Sequence, residues 1–142
     1  MENRLGEEGE GYVNALKILT NGRASLGARC LGSCEKLLEL STDQALQRVQ
    51  FGKPIIGNQA VAHMLADMAV EIETLRSVLY RVTAMVDRGE NTIKESAIVK
   101  LYASEVYNRI ADRAVQIFGG MGYMREVPVE RFYRDARITR IY

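Results

Sequence analysis

Residues 58–88 read NQAVAHMLADMAVEIETLRSVLYRVTAMVDR, and their pattern decides the fold class. Val61, Leu65, Met68, Ile72, Leu75, Leu79 and Val82 advance by three or four positions, the spacing that stacks apolar side chains on one face of an α-helix. A strand would need alternation with period two, which is absent. The run therefore predicts one long helix from about Asn58 to Arg88 whose apolar stripe must be buried against other helices. Its boundaries are marked on both sides. Phe51-Gly52-Lys53-Pro54 precedes it, where Gly leaves a helix readily and Pro54 cannot continue one; Asp87-Arg88-Gly89-Glu90-Asn91 reads as the turn that follows.

The neighbouring segments repeat the same logic. A helix is predicted over about 24–49, with Leu31, Cys34, Leu38 and Ala45 near helical spacing. Another is predicted over about 92–118, with Ile98, Leu101, Ala111, Ala114 and Ile117 as buried candidates, stopped by Gly119-Gly120-Met121-Gly122. Tyr12, Ala15, Leu16 and Leu19 also share a helical side, but Thr20-Asn21-Gly22-Arg23 interrupts them, with Gly22 as the expected kink. After an irregular stretch, short helices are expected around Arg131 to Ile138. No strand alternation, internal repeat or low-complexity tract stands out. Long helices joined by short links make an all-α, antiparallel bundle, for which a fourth long helix is expected but does not appear before Tyr142.

Composition narrows the function classes. The chain has 142 residues, 47% hydrophobic and 26% charged, with two prolines, which suits one helical domain with a single core and argues against disorder. A formal charge of +1 gives no reason to invoke nucleic acid or an anionic membrane. No apolar run approaches the roughly 18 residues of a membrane span. Met1-Glu2-Asn3-Arg4 lacks the apolar stretch of a signal peptide. Cys30 and Cys34 lie one helical turn apart and read as small core residues; zinc takes about four ligands, and the lone histidine, His63, is distant in sequence, so no metal site is expected.

Three segments carry possible chemistry. Arg48-Val49-Gln50-Phe51-Gly52-Lys53-Pro54-Ile55 puts a guanidinium at the end of a helix, fit either for pyrophosphate oxygens or simply for the helix C-terminus. Gln116-Ile117-Phe118-Gly119-Gly120-Met121-Gly122-Tyr123 pairs an amide side chain with glycines that let a backbone or flat ligand come close, or that merely stop a helix. It is no dinucleotide fingerprint, since the spacing differs and no strand precedes it. Glu130 to Arg137 alternates charges with aromatics, as on a solvated or subunit-facing helix.

Taken in order, these segments resemble the acyl-CoA dehydrogenase family. The resemblance covers Leu5-Gly6-Glu7-Glu8-Gly9, Asn21-Gly22-Arg23, Arg48 to Ile55, Gln59, Leu65-Ala66-Asp67-Met68, Gln116 to Tyr123, and Val129-Glu130-Arg131 through Arg134-Asp135-Ala136-Arg137-Ile138. It implies a parent of three domains, of which residues 12–142 are the C-terminal helical bundle without its last helix and residues 1–11 a linker from a β-domain. It implies FAD as cofactor, held between domains and across a subunit boundary of a homodimer or homotetramer. Arg48 is similar to the arginine on the FAD pyrophosphate of a neighbouring subunit, with Gln50 and Phe51 lining the same region. Gln116 and Gly120 are similar to the adenosine-diphosphate contacts. Arg23 is similar to a residue beside the acyl-CoA channel, and Tyr142 to the aromatic lining the thioester pocket.

The family reaction so implied is α,β-dehydrogenation of an acyl-CoA thioester. A carboxylate removes the α-proton, the β-hydrogen leaves as hydride to the flavin, and an electron-transfer flavoprotein then takes the electrons. An oxidase or flavin monooxygenase built on the same bundle is the enzymatic rival, and a helical dimerisation module the non-enzymatic one. The resemblance fits a bacterial cytoplasm or a mitochondrial matrix. It also exposes a departure. In most members the base follows the Arg-Asp-Ala-Arg stretch, which would put it directly after Tyr142; in a minority it sits on the first long helix, where this chain has Gly22. No catalytic residue is therefore expected within the chain, and Glu35, Glu39 and Glu71 are not expected to substitute.

Overall fold

A computed structural model describes residues 4–142. The reading of Met1-Glu2-Asn3 as unlike a signal peptide, and the first part of the expected linker, lie outside those residues. Four helices carry the architecture: α1 (Gly11–Gln47), α2 (Gln59–Asp87), α3 (Ile93–Phe118) and the short α4 (Val129–Ile138). Between α1 and α2 the chain makes a two-residue antiparallel ladder, β1 (Val49–Gln50) against β2 (Lys53–Pro54). Two residues per strand are too few for alternation to be legible in sequence.

The stripe on α2 is the core. Leu65, Met68, Ile72, Leu75, Leu79 and Val82 are all buried, while Val61 is partly so. On α1 the buried face is Leu26, Cys30, Leu31, Cys34, Leu37 and Ala45. On α3 it is Val99, Ala103, Val106, Ile110, Ala114 and Ile117, again three or four apart. Two expectations on α3 are overturned: Ile98 is 43% and Leu101 64% exposed. They lie beside the buried stripe, which turns on Val99 and Ala103 instead. Ala111, Ala114 and Ile117 are buried as expected.

The expected break at Thr20-Asn21-Gly22-Arg23 is also overturned, since α1 runs without interruption from Gly11 to Gln47. A mid-helix glycine costs only ~1 kcal/mol relative to alanine, and helix-competent residues flank Gly22 on both sides. The first half of α1 nevertheless stands outside the core: Tyr12, Leu16, Ile18 and Leu19 are exposed.

Cross-helix pairs fix the directions. Arg76 of α2 meets Glu35 of α1 at 2.7 Å, and Leu79 lies beside Gly27, so α1 and α2 are antiparallel. Arg109 and Arg113 of α3 grip Glu71 of α2 at 2.9 and 3.0 Å, with Asp67 3.6 Å from Arg113, so α2 and α3 are antiparallel too. This up-down-up course puts the end of α1, the β1–β2 hairpin and the end of α3 at one end of the bundle. Gly119, at φ 63°, turns the chain out of α3, and α4 then returns along α3. Among the described residues no helix is long and apolar enough to cross a membrane.

Candidate functional site

Two surfaces gather the residues singled out in the sequence. At the hairpin end, Arg48 is the C-cap of α1, exposed and in extended conformation (ψ 119°), with no ion-pair partner among the described residues. Its carbonyl accepts the Ile55 N–H at 2.9 Å, which anchors the hairpin to the helix end. Phe51 and Gly52 form the tip, with φ 53° and 79°. A turn with both central residues in the left-handed region favours Asn-Gly, and a phenylalanine there is strained. Yet Phe51 is 98% exposed, so no packing within the described chain repays that strain. Gln50 turns its amide back to the Val49 carbonyl at 2.8 Å.

The glycine-rich turn at the same end separates into three roles. Gly119 is required by its φ of 63°. Gly122 is required by packing, because a Cβ there would lie 2.8 Å from the Phe118 Cβ and 3.0 Å from the Val115 carbonyl oxygen. Gly120 has neither constraint: its φ is ordinary, and a Cβ would meet nothing within 4 Å. It leaves open backbone beside the exposed Gln116 of the last α3 turn. A free guanidinium, a projecting aromatic ring and an amide beside bare backbone suit the phosphates and flat ring of a dinucleotide. FAD thus fits the chemistry of this donor set.

The second surface joins opposite ends of the sequence. Arg23 of α1 and Tyr142 face one cavity of about 540 Å³. Ile18, Leu19 and Leu26 supply its apolar wall, Arg29 and Lys100 add two cations, and Gly22 contributes bare helix. Among the described residues no Asp or Glu side chain lines it. A Cβ at Gly22 would also meet nothing within 4 Å, so neither packing nor φ calls for glycine there. Lys100, Arg29 and Leu26 were not singled out by sequence. Nothing in their spacing distinguishes a cavity wall from an ordinary helix surface.

The three carboxylates weighed as substitute bases are occupied elsewhere. Glu71 is the partly buried acceptor for Arg109 and Arg113. Glu35 pairs with Arg76, and Glu39 with Lys36 at 2.8 Å. The cysteines behave as core residues. Both are free and buried; burial pushes the Cys30 thiol up to about 11 and the Cys34 thiol higher still, so neither is a nucleophile near neutral pH. Among the described residues no group of three or more His, Cys, Asp or Glu is placed to hold a metal ion.

Comparison with known proteins agrees with the fold. The family profile "Acyl-CoA dehydrogenase, C-terminal domain" matches residues 9–142. The chain is 46% identical over 140 residues to an acyl-CoA dehydrogenase of Bacillus subtilis, covering 99% of the chain and 37% of that relative. It is 43% identical over 141 residues to the caffeyl-CoA reductase–Etf complex subunit CarC of Acetobacterium woodii, at the same coverages. The structure of butyryl-CoA dehydrogenase from Megasphaera elsdenii superposes with a TM-score of 0.96 at 44% identity, over 99% of this chain and 37% of that one. The chain thus spans little more than a third of the length of the relatives it matches. Helix course, hairpin, glycine turn and this likeness agree: the chain belongs to the acyl-CoA dehydrogenase family, in which it corresponds to the C-terminal helical domain.

Proposed function

We propose that this chain is the C-terminal scaffold of an FAD-dependent acyl-CoA dehydrogenase. In this reading it lends two surfaces to the enzyme and no base. Arg48, Gln50 and Phe51 hold FAD near its pyrophosphate, across a boundary with a second copy in a homodimer or homotetramer, and Gln116 and Gly120 hold the adenosine-diphosphate end. Arg23 and Tyr142 face the acyl-CoA. FAD, when bound, supplies the hydride acceptor. The chain's own residues bind and orient: cations draw in the phosphates of CoA, while Ile18, Leu19 and Leu26 offer apolar surface to an acyl chain. The relative described as a subunit of an Etf complex supports an electron-transfer flavoprotein as the redox partner.

One observation carries this reading. The cavity at Tyr142 combines an apolar wall with three cations and, among the described residues, no Asp or Glu side chain, which suits a thioester of an anionic carrier and leaves proton removal to a carboxylate outside this lining. Amide-shift mapping of the 142-residue chain tests it. Butyryl-CoA is expected to move signals at Gly22, Arg23, Lys100 and Tyr142, and FAD those of 48–53 and 116–123, with Arg23→Ala weakening only the first response. Shifts scattered over other faces, or an unchanged response in Arg23→Ala, would remove the assignment.

A further inference from the structure

The cavity wall at Tyr142 has no obvious means of staying in place. Ile138, Ile141 and Tyr142 are 50%, 69% and 59% exposed, so hydrophobic burial does little to fix them. The backbone after α4 makes only single-turn bonds, including Arg140 N–H to the Arg137 carbonyl at 3.3 Å and Tyr142 N–H to the Ile138 carbonyl at 3.3 Å. A segment held by such bonds alone opens readily. What holds this one in addition is polar and comes from α3.

Asn108 Nδ2 donates to the Ala136 carbonyl at 2.8 Å, to its own helix at the Ser104 carbonyl at 2.8 Å, and approaches Thr139 Oγ1 at 3.5 Å. Thr139, itself buried, donates its hydroxyl to the same Ala136 carbonyl at 2.6 Å. Ala136 lies in the last turn of α4, where the only backbone bond to its carbonyl is the single-turn one from the Thr139 N–H at 3.2 Å, so these side chains reinforce the helix end from outside. One residue further, Arg140 donates to Glu105 of α3 at 2.6 Å. Lys100, which lines the cavity, makes a long 3.5 Å contact to the Arg140 carbonyl. All three α3 residues reach the five-residue stretch from Ala136 to Arg140, which ends two positions before Tyr142.

We infer that Asn108 and Glu105 are positioning residues for the acyl-CoA-facing cavity. They touch neither the cavity nor any ligand in it; they hold the exit of α4, and through it the Tyr142 wall, at a set height along α3 and opposite Gly22 and Arg23. For its functional meaning this rests on the reading of the cavity given above, whereas its geometry does not.

The test needs no ligand, so its failure is separable from failure of the functional reading. The 142-residue chain is labelled with fluorotyrosine, the Tyr142 resonance is identified by its loss in Tyr142→Phe, and backbone order parameters are measured over 138–142. The wild-type chain should give one Tyr142 resonance away from the free amino acid and order parameters near about 0.85. In Asn108→Asp, which keeps the size but loses the donor, and in Glu105→Gln, the resonance should move towards the free value and order parameters at 140–142 should fall. In the double variant they should drop below about 0.6. The other tyrosine signals and the thermal midpoint should change little. Glu105→Gln, at a half-exposed pair, keeps the test decisive if Asn108→Asp folds poorly. An unmoved Tyr142 resonance and unchanged order in the double variant would overturn the inference. If the clamp proves real while butyryl-CoA still binds the double variant as it binds the wild type, the positioning role is overturned and only a helix cap remains.

Discussion

Gly27 and Gly32 lie on the same helix, five positions apart, and alanine should have opposite effects at the two. In α1 each substitution removes the entropic penalty of a helical glycine, a gain of about 0.5–1 kcal/mol. At Gly32 a Cβ meets nothing within 4 Å, so the gain should appear undiminished. At Gly27 a Cβ would lie 2.3 Å from Val99 Cγ1 and 3.3 Å from Leu79 Cδ1. Val99 is fully buried, and its methyl is attached directly to a β-carbon with one strongly preferred helical rotamer, so it cannot swing aside. The α1–α3 interface must then open, an overpacking cost of about 1–3 kcal/mol that sits at the upper end for so short an approach. The net expectation is Gly27→Ala destabilised by about 1–2 kcal/mol and Gly32→Ala stabilised by about 0.5–1 kcal/mol. For a chain of this size each kcal/mol moves Tm by about 3 °C. Urea unfolding followed by helical circular dichroism reads both. Val99→Ala should relieve part of the Gly27→Ala penalty, giving a favourable coupling in the double-mutant cycle. If Gly27→Ala were as stable as Gly32→Ala, the close α1–α3 crossing deduced from Gly27 and Val99 would be wrong.

Phe51→Asn should trade binding for stability. It replaces a ring held at φ 53° by a residue that tolerates that conformation, raising stability by about 1 kcal/mol, while the response of the hairpin amides to FAD weakens; loss of stability would show that the ring packs within the chain. Glu71→Gln removes the charge shared by Arg109 and Arg113 and should cost about 1–3 kcal/mol in urea unfolding; a neutral outcome would make the cluster decorative. Because burial raises the Cys30 thiol from 9.0 to about 11, the unfolded chain loses its proton first as pH rises. The stabilising effect is therefore complete below pH 9 and lost progressively between pH 9 and about 11. Tm should fall across that window, less steeply in Cys30→Ala, and both cysteines should resist thiol reagents at pH 8 until the chain unfolds.

Helix α2 was legible to within a residue because a sustained stripe and flanking stop residues agree. Helix α3 had equally clear ends, but its face was misjudged at Ile98 and Leu101: an apolar residue beside the stripe fits the same count as one on it, and only contact with α1 chooses between them. Gly22 misled in the other direction. Its chemistry suggests a kink, yet one glycine does not outweigh a long helix on either side. The binding surfaces divide in the same way. Arg48, Phe51 and Gly120 are local features whose residue types already hint at a ligand, and the resemblance supplied their roles. The meeting of Arg23 with Tyr142 depends on α4 returning along α3, and the Asn108 and Glu105 contacts that hold α4 there follow no motif.

The cavity proposed to face an acyl-CoA has no Asp or Glu among its described lining residues, in a chain that spans little more than a third of its relatives. Anaerobic titration of the purified 142-residue chain with FAD and then butyryl-CoA, followed by flavin absorbance, tests this most directly. FAD should be lost on gel filtration, and the thioester should bleach the flavin no faster than it does in free solution. Stoichiometric retention of FAD with butyryl-CoA-dependent bleaching would contradict the account and require a carboxylate within the chain to reach the substrate.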